Sequence, residues 1–457
     1  MVLLPLLLAC GVAAAVSQPS QSLAYAVDFA QRNRTFDGVG ALSGGGATTK
    51  LLPEYPEPER SAVLDVLFKP GYLASLQLLK VEIGGDADST EGSEASHEHV
   101  QGVVNCNRGY EFWLMKEARQ RNPDIQLYGL PWGWPGWLGG SAGAAGSPLA
   151  PENANATANY ITDWVECAAK THGLTIDFVG PVNEIDKEFA SYGISYLKIL
   201  RKTLDQRGLS HTRLVGGDVH SWVDPLCDAL NGGKDPELRQ AVAVIGKHYP
   251  STQSTDKARQ TGLPLWSSED YASDNHGAGG RCEARILNQN WVSGQMTATV
   301  AWNLISSYYP WLAWANDGLM TARTPWSGSY SIDPPIYAAA HTAQFAPAGA
   351  GLTAKTWLLS VGGGSGFLSQ GGSYVSYVSS SPPALLTSSS SRQQQQSAPP
   401  LNFSLVLEKV APHKAGCGFS SQGDYNVTTE TATFQLSSDS MAVLQQQQRY
   451  QVRTTHE

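Results

Sequence analysis

The chain has 457 residues, of which 42% are hydrophobic and 16% charged, and its formal net charge is −9. That length exceeds one ordinary domain and suits one large barrel with a satellite domain. The negative charge argues against nucleic acid or an anionic membrane surface as the main partner, and beyond the N-terminus no stretch is apolar enough to predict a transmembrane segment.

In chain order, residues 1–17 form an apolar run followed by small residues, the shape of a secretory signal peptide, although no Lys or Arg precedes the run. N-glycosylation sequons begin at Asn33, Asn155, Asn402 and Asn426. Leader and sequons together predict a secreted or lysosomal protein. Cys10 would leave with the leader. Cys106, Cys167, Cys227, Cys282 and Cys417 remain, none in CxxC spacing, which argues against a metal or redox motif. Their odd number requires a free thiol or an intermolecular pair, and Cys106, Cys167 and Cys227 could be buried thiols.

From Phe36 onward, strand-like and helix-like segments alternate. The strand candidates are Phe36–Leu42, Leu76–Ile83, Ile125–Leu130, Ile176–Val182, Arg213–Gly217, Val242–His248, Pro264–Ser268 and Thr297–Leu304. Amphipathic stretches between them include Tyr110–Arg121, Ala158–Thr171, Tyr192–Gln206 and Arg281–Val292. Such repeats match a TIM barrel, which typically takes about 250 residues. Outside them, Tyr25–Phe29, Lys355–Val361, Ser373–Val378, Leu401–Val410 and Asn426–Leu436 read as strands without helices. The expected architecture is therefore α/β: a (β/α)8 TIM barrel over 36–338, and a β-sandwich from both chain ends, 18–35 and 339–457. Residues 379–400, rich in Ser, Pro and Gln, read as a low-complexity insertion in that sandwich.

Two carboxylates stand at strand ends in this scheme. Glu184 closes Asp177-Phe178-Val179-Gly180-Pro181-Val182-Asn183-Glu184 on the fourth strand, and Glu269 closes Leu263-Pro264-Leu265-Trp266-Ser267-Ser268-Glu269 on the seventh. Barrel strands open at their C-terminal ends onto one face, where catalysis sits. A carboxylate pair there suits cleavage of a glycosidic bond, one group protonating the leaving oxygen and the other attacking the sugar. His248 ends the sixth strand and reads equally as a substrate contact or a structural histidine. Glu82 and Asp86 read as scaffold. Gly44–Gly46 lacks the Lys and the spacing of a phosphate loop and reads as a tight turn.

Further motifs carry a resemblance. Phe36-Asp37-Gly38-Val39-Gly40-Ala41-Leu42-Ser43-Gly44-Gly45-Gly46-Ala47-Thr48, Val81-Glu82-Ile83-Gly84-Gly85-Asp86, Gly129-Leu130-Pro131-Trp132-Gly133-Trp134-Pro135-Gly136-Trp137-Leu138, Leu265-Trp266-Ser267-Ser268-Glu269-Asp270 and Arg285-Ile286-Leu287-Asn288-Gln289-Asn290 occur in one order. Over about residues 30–345 they resemble the galactocerebrosidases of glycoside hydrolase family 59. The resemblance implies Glu184 as acid/base and Glu269 as nucleophile, with galactose contacts at Thr90, Trp132 and Asn183 and a disulfide between Cys282 and Cys417. It implies a galactosylated lipid as substrate, presented by a saposin-like activator, with neither cofactor nor metal. Three departures stand out. Phe419 occupies the position of an Arg that contacts galactose in the family. Val182 and Ile185 flank Asn183-Glu184 where animal members have Trp and Arg. The further lectin-like domain of the animal enzymes has no counterpart in the sequence.

The chemistry expected is double displacement with retention, which needs carboxyls about 5–5.5 Å apart. Glu184 must begin protonated, a state that the negative charge of Glu269 favours. Related readings are a clan β-glycosidase on glucosylceramide or β-galactan, and a non-catalytic glycan-binding relic of the fold.

Overall fold

A computed structural model describes residues 23–44, 49–90, 92–138, 153–271, 275–306, 311–312, 314–349, 355–380, 401–410 and 432–437. Two short strands come first, β1 (Leu23–Val27) and β2 (Arg32–Thr35). Eight parallel strands follow: β3 (Gly38–Ser43), β4 (Leu78–Ile83), β5 (Gln126–Pro131), β6 (Phe178–Val179), β7 (Arg213–Val219), β8 (Val242–His248), β9 (Leu265–Tyr271) and β10 (Ala298–Trp302). They close into a barrel in chain order, β10 pairing with β3. Every residue of β3, β4 and β5 is buried, as parallel strands covered on both faces require. Leu42, Leu78, Tyr128, Leu130, Phe178, Val215 and Trp266 fill the interior.

The expected strands are all present. The fourth differs most, with only Phe178 and Val179 in ladder pairing instead of residues 176–182. Pro181 has no N–H to donate and ends the pairing. Gly180 before it has no room for a side chain: a Cβ would lie 2.5 Å from Asp218 Oδ2 and 2.5 Å from Leu130 Cδ1.

The helices between barrel strands are α1 (Glu59–Phe68), α2 (Glu111–Arg121), α3 (Ala154–His172), α4 (Asp186–Gln206), α5 (Asp224–Asn231), α6 (Pro236–Ala241), α7 (Asp256–Gln260) and α8 (Gly277–Val292). Their ends follow local chemistry. Asp235 accepts from Leu238 N–H to start α6, and Thr255 accepts from Ala258 N–H to start α7. Gly173 ends α3 in the left-handed conformation, φ 67°. The sequence reading does not name α1, α5, α6, α7 or a helix at Pro334–Ala343; each spans ten residues or fewer, too few turns for a clear helical period.

After the barrel come the hairpin β11 (Met320–Thr324) and β12 (Ser329–Ile332), the helix α9 (Pro334–Ala343), and the strands β13 (Thr356–Leu359), β14 (Gly366–Phe367), β15 (Ser373–Ser379), β16 (Asn402–Glu408) and β17 (Ala432–Leu436). Both chain ends contribute to the extra sheets: β2 pairs with β13, and β1 runs parallel to β17. Val27, Phe29, Leu359 and Val378 form their shared apolar layer. Helix α8 ties this layer to the barrel, since Asn288 donates to the carbonyls of Ser373 and Val406 and Trp291 Nε1 donates to that of Leu359. The insertion at 379–400 falls almost wholly outside the described residues.

Two cysteines depart from the sequence reading. Cys106 and Cys167 are not thiols but a disulfide, with Cα atoms 5.1 Å apart. The segment after β4 folds back onto α3, where His172 Nε2 meets the Cys106 carbonyl at 2.6 Å and brings the sulfurs together. Among the described residues Cys227 is the buried free thiol, its pKa pushed up to about 12 by burial. Cys282 is also disulfide-bonded, and Cys417, its expected partner, lies outside the described residues. Among the described residues no helix is long and apolar enough to cross a membrane.

Candidate active site

The turn after β6 delivers Glu184. Asn183 N–H donates to the Pro131 carbonyl and Glu184 N–H to the Asp218 carbonyl, both at 2.9 Å. Glu184, Asp218 and Tyr249 all hold left-handed backbone conformations, with φ of 53°, 61° and 45°. Each such residue costs on the order of 1–3 kcal/mol, and such strain concentrates at functional sites. Register shifts near Asp218 in β7 and between Lys247 and His248 in β8 aim neighbouring side chains toward one point.

At that point Glu184 and Glu269 meet. A carboxylate oxygen of each and a ring nitrogen of His248 all lie within 4.8 Å of one another. His248 stands between the glutamates, its Nδ1 2.9 Å from Glu184 Oε1 and 3.5 Å from Glu269 Oε2. His220, half-exposed, reaches the same Glu184 oxygen through Nε2 at 3.2 Å. Tyr249 donates its hydroxyl to Glu269 Oε1 at 2.6 Å.

Beneath the pair lies a fully buried cation. Lys80 Nζ sits 3.5 Å from Glu269 Oε2, 3.3 Å from Asp218 Oδ1, 3.2 Å from His248 Nε2 and 3.0 Å from the Ser268 carbonyl. It also lies over the rings of Tyr128 and Trp132, 5.4 Å from each centroid. Tyr128 donates a short hydrogen bond to Asp218, whose other oxygen is 3.3 Å from His248 Nε2. A metal ion among Glu184, His248 and Glu269 would face this ammonium and displace the hydrogen bond at His248 Nδ1, so the donor set does not suit a cation.

The protonation pattern follows from these contacts. Burial alone would raise the Glu184 carboxyl, but hydrogen bonds and charge from His220 and His248 outweigh it and hold the group well below the usual carboxylate range. That reverses the sequence-based expectation, in which Glu269 keeps Glu184 protonated; the histidines between and beside the carboxylates change the sign. Burial likewise opposes ionisation of Asp218, yet the Lys80 charge and His248 bring its pKa down to about 2. Burial works against protonation of His248, but the negative Glu269 leads the contacts that raise it. The hydrogen bond to Glu184 raises His220 to about 9.

Other expected site residues fall as follows. Asn183 is buried beside Glu184, and its Oδ1 has no hydrogen-bond partner among the described residues. Trp132 follows β5 and is 2% exposed, its ring edge close to Gly44. Thr90 is exposed on the segment after β4, next to Ser89, whose hydroxyl contacts Glu82 Oε2 at 3.3 Å. Asn33 and Asn155 are exposed, Asn402 is partly buried, and Asn426 and Phe419 lie outside the described residues. Sequence reasoning missed Lys80, Asp218, His220 and Tyr249. Lys80 did leave a signal, a lone ammonium inside the apolar run Leu-Leu-Lys-Val-Glu-Ile, which has no solvent-facing side in a parallel barrel.

The model of glycosyl hydrolase family 59 matches residues 36–344, which cover the whole barrel and its carboxylate pair. This chain belongs to glycosyl hydrolase family 59. Among curated relatives, a galactocerebrosidase of Salmo salar is 44% identical over 420 residues, covering 92% of this chain and 57% of the relative. The Homo sapiens galactocerebrosidase is 43% identical over 403 residues, covering 88% of this chain and 53% of the relative. The chain thus spans little more than half the length of the family 59 relatives it matches. The fold extends further: SrfJ of Salmonella typhimurium aligns with a TM-score of 0.58 at 16% identity, over 79% of this chain and 86% of that one. The catalytic domain of a GH30 xylanase C from Talaromyces cellulolyticus aligns at 0.54 and 19% identity, over 78% and 86%.

Proposed function

We propose that the chain is a retaining β-galactosidase that hydrolyses the galactosyl bond of galactosylceramide-like glycolipids by double displacement. The approach of Glu184 and Glu269, with carboxylate oxygens inside 4.8 Å, carries this reading. An oxygen contact that close is what the short carboxyl spacing of retaining enzymes, about 5–5.5 Å, brings about. Glu269, oriented by Tyr249, attacks the anomeric carbon; Glu184 protonates the departing oxygen and then activates water. The buried Asn183 Oδ1 is free to accept the sugar 2-OH, a contact that strengthens in the transition state. Trp132 and Thr90 complete the galactose contacts. The galactocerebrosidase relatives support the lipid aglycone. In the same reading the chain enters the secretory route through residues 1–17, carries glycans at its sequons, acts in a lysosomal or secreted setting with a saposin-like activator, and pairs Cys282 with Cys417.

The deciding experiment measures hydrolysis of matched β-galactosides and β-glucosides from about pH 4 to 7, wild type beside Glu269→Gln. General nucleophile loss predicts a fall of at least about 10³-fold in the variant. Glucoside preference would overturn the substrate, and turnover surviving in Glu269→Gln would overturn the mechanism.

A further inference from the structure

The ligand-free site poses a problem for acid catalysis, because the two histidines at Glu184 hold it in the wrong state to donate a proton. The geometry supplies the proton one hydrogen bond away. We propose that His248 stores the catalytic proton on Nδ1 and exchanges it with Glu184, while Asp218, neutralised by Lys80, fixes the other ring nitrogen as N–H. The inference rests on the function proposed above and adds a positioning relay to it.

The contacts define each role. His248 Nδ1 is 2.9 Å from Glu184 Oε1, a distance at which a proton can cross. His248 Nε2 is 3.3 Å from Asp218 Oδ1, so the carboxylate accepts from Nε2–H and leaves Nδ1 as the exchanging atom. Asp218 is fully buried, and Tyr128 and Lys80 both bind it. A carboxylate so compensated orients the imidazole without capturing its proton, as the buried Asp does in a catalytic triad. Of the remaining titratable groups around the ring, Lys80 Nζ lies 3.2 Å from Nε2 and opposes the imidazolium, its own protons having acceptors in the Ser268 carbonyl, Asp218 and Glu269; Glu269 faces Nδ1 at 3.5 Å, Tyr249 packs edge-on at 6.1 Å, and half-exposed His220 lies 6.4 Å away.

The proximity of Glu269 gives the relay its timing. In the resting site the negative Glu269 holds the imidazolium. A substrate covering the site expels water, and a charge-separated His248–Glu184 pair loses the solvation that favoured it. As Glu269 spends its charge in forming the glycosyl ester, its attraction for the imidazolium fades. The Nδ1 proton then passes to Glu184, converting imidazolium and carboxylate into neutral imidazole and carboxylic acid. Glu184 gives that proton to the glycosidic oxygen as the bond to the anomeric carbon breaks. In the second half, Glu184 takes a proton from the attacking water, the ester bond breaks, Glu269 regains its charge, and the proton returns to Nδ1. Over the cycle no proton is gained or lost by the protein.

The test uses the full chain and two β-galactosides, one with a dinitrophenyl leaving group that departs without a proton and one with an alkyl group that needs it. His248→Gln should slow the alkyl substrate by about 100-fold and the dinitrophenyl substrate by no more than about threefold. Asp218→Asn should give the same split in weaker form. Equal losses on both substrates would reduce His248 to scaffold and overturn the relay, as would the split appearing in His220→Gln instead. Nitrogen NMR of histidine-labelled wild type adds a readout independent of turnover: Nε2 of His248 should stay protonated while Nδ1 titrates. A neutral His248 protonated at Nδ1 overturns the relay even in an active enzyme. A wild type that cleaves neither galactoside overturns the functional reading, and the relay's catalytic role with it.

Discussion

Tyr249 places its hydroxyl 2.6 Å from Glu269 Oε1 from a backbone held at φ 45°. Its ring also packs 4.6 Å from that of Tyr271 and 6.0 Å from that of His220, so the hydroxyl has little freedom to turn away. A hydrogen bond to a charged acceptor is worth about 1.5–3 kcal/mol, and one with the nucleophile also sets the direction of attack. Tyr249→Phe keeps the ring packing and removes only the donor. Its kcat on a β-galactoside should therefore fall by about 10- to 100-fold, while the melting temperature drops by only a few degrees. A variant with normal kcat would show that Lys80 suffices to orient Glu269.

At the scale of elements, the segment between β4 and α2 is where the barrel builds its rim. Asp86 accepts from the N–H and hydroxyl of Ser96 and pairs with Arg108 at 2.8 Å, which closes the segment on itself. The Cys106–Cys167 bond fastens it to α3 across a separation of 61 residues. Loop-closure entropy assigns a cross-link of that span up to about 4 kcal/mol. The double variant Cys106→Ser, Cys167→Ser should lower the urea midpoint accordingly, and should raise KM because Thr90 rides on the same segment. An unchanged midpoint would mean that the Asp86 contacts already hold the rim. The barrel itself was legible in the sequence because its strands are continuous apolar runs at regular intervals, and Glu184 and Glu269 because each is a charge at the end of such a run. Lys80, Asp218, His220 and Tyr249 were not, because their roles arise from barrel closure, which brings β4, β7, β8 and β9 to one point from positions up to 189 residues apart. The rim disulfide escaped for the same reason, since no spacing rule joins a loop cysteine to a helical one.

For the molecule as a whole, burial of carboxyls decides how stability varies with pH. Glu94 is raised to about 7 by burial, and Glu111 and Glu283 lie well above the usual range for the same leading reason. A folded state that binds such protons more tightly than the unfolded chain loses stability as pH rises above the unfolded carboxylate pKa, about 4.3. His97 acts in the opposite sense: burial lowers it to about 4, so its contribution is lost as pH falls from about 6.5. The shifts of Glu94 and His97 are similar in size and largely cancel. Asp218 is depressed to about 2 and Glu184 is held well below the usual carboxylate range by its histidines, so both titrate below the window of interest. Glu111 and Glu283 remain, and the raised carboxyls Asp37, Glu98, Asp177 and Asp270 and the raised His220 and His248 act in the same sense, so together they set the sign between about pH 4.5 and 7. Glu283 is the cleaner probe, being fully buried in α8 with neither oxygen hydrogen-bonded among the described residues. The melting temperature should be higher near pH 5 than near pH 7. Glu283→Gln should narrow that difference, mainly by raising the value near pH 7, where the wild-type carboxyl is driven to ionise in an apolar setting. Melting curves at the two pH values read this directly. A wild type more stable near neutrality, or a difference untouched in Glu283→Gln, would place the pH dependence elsewhere. The expected acid-stable profile matches the acidic range in which the relay needs His248 charged before each turnover, so the same pH would favour both the fold and its resting proton arrangement.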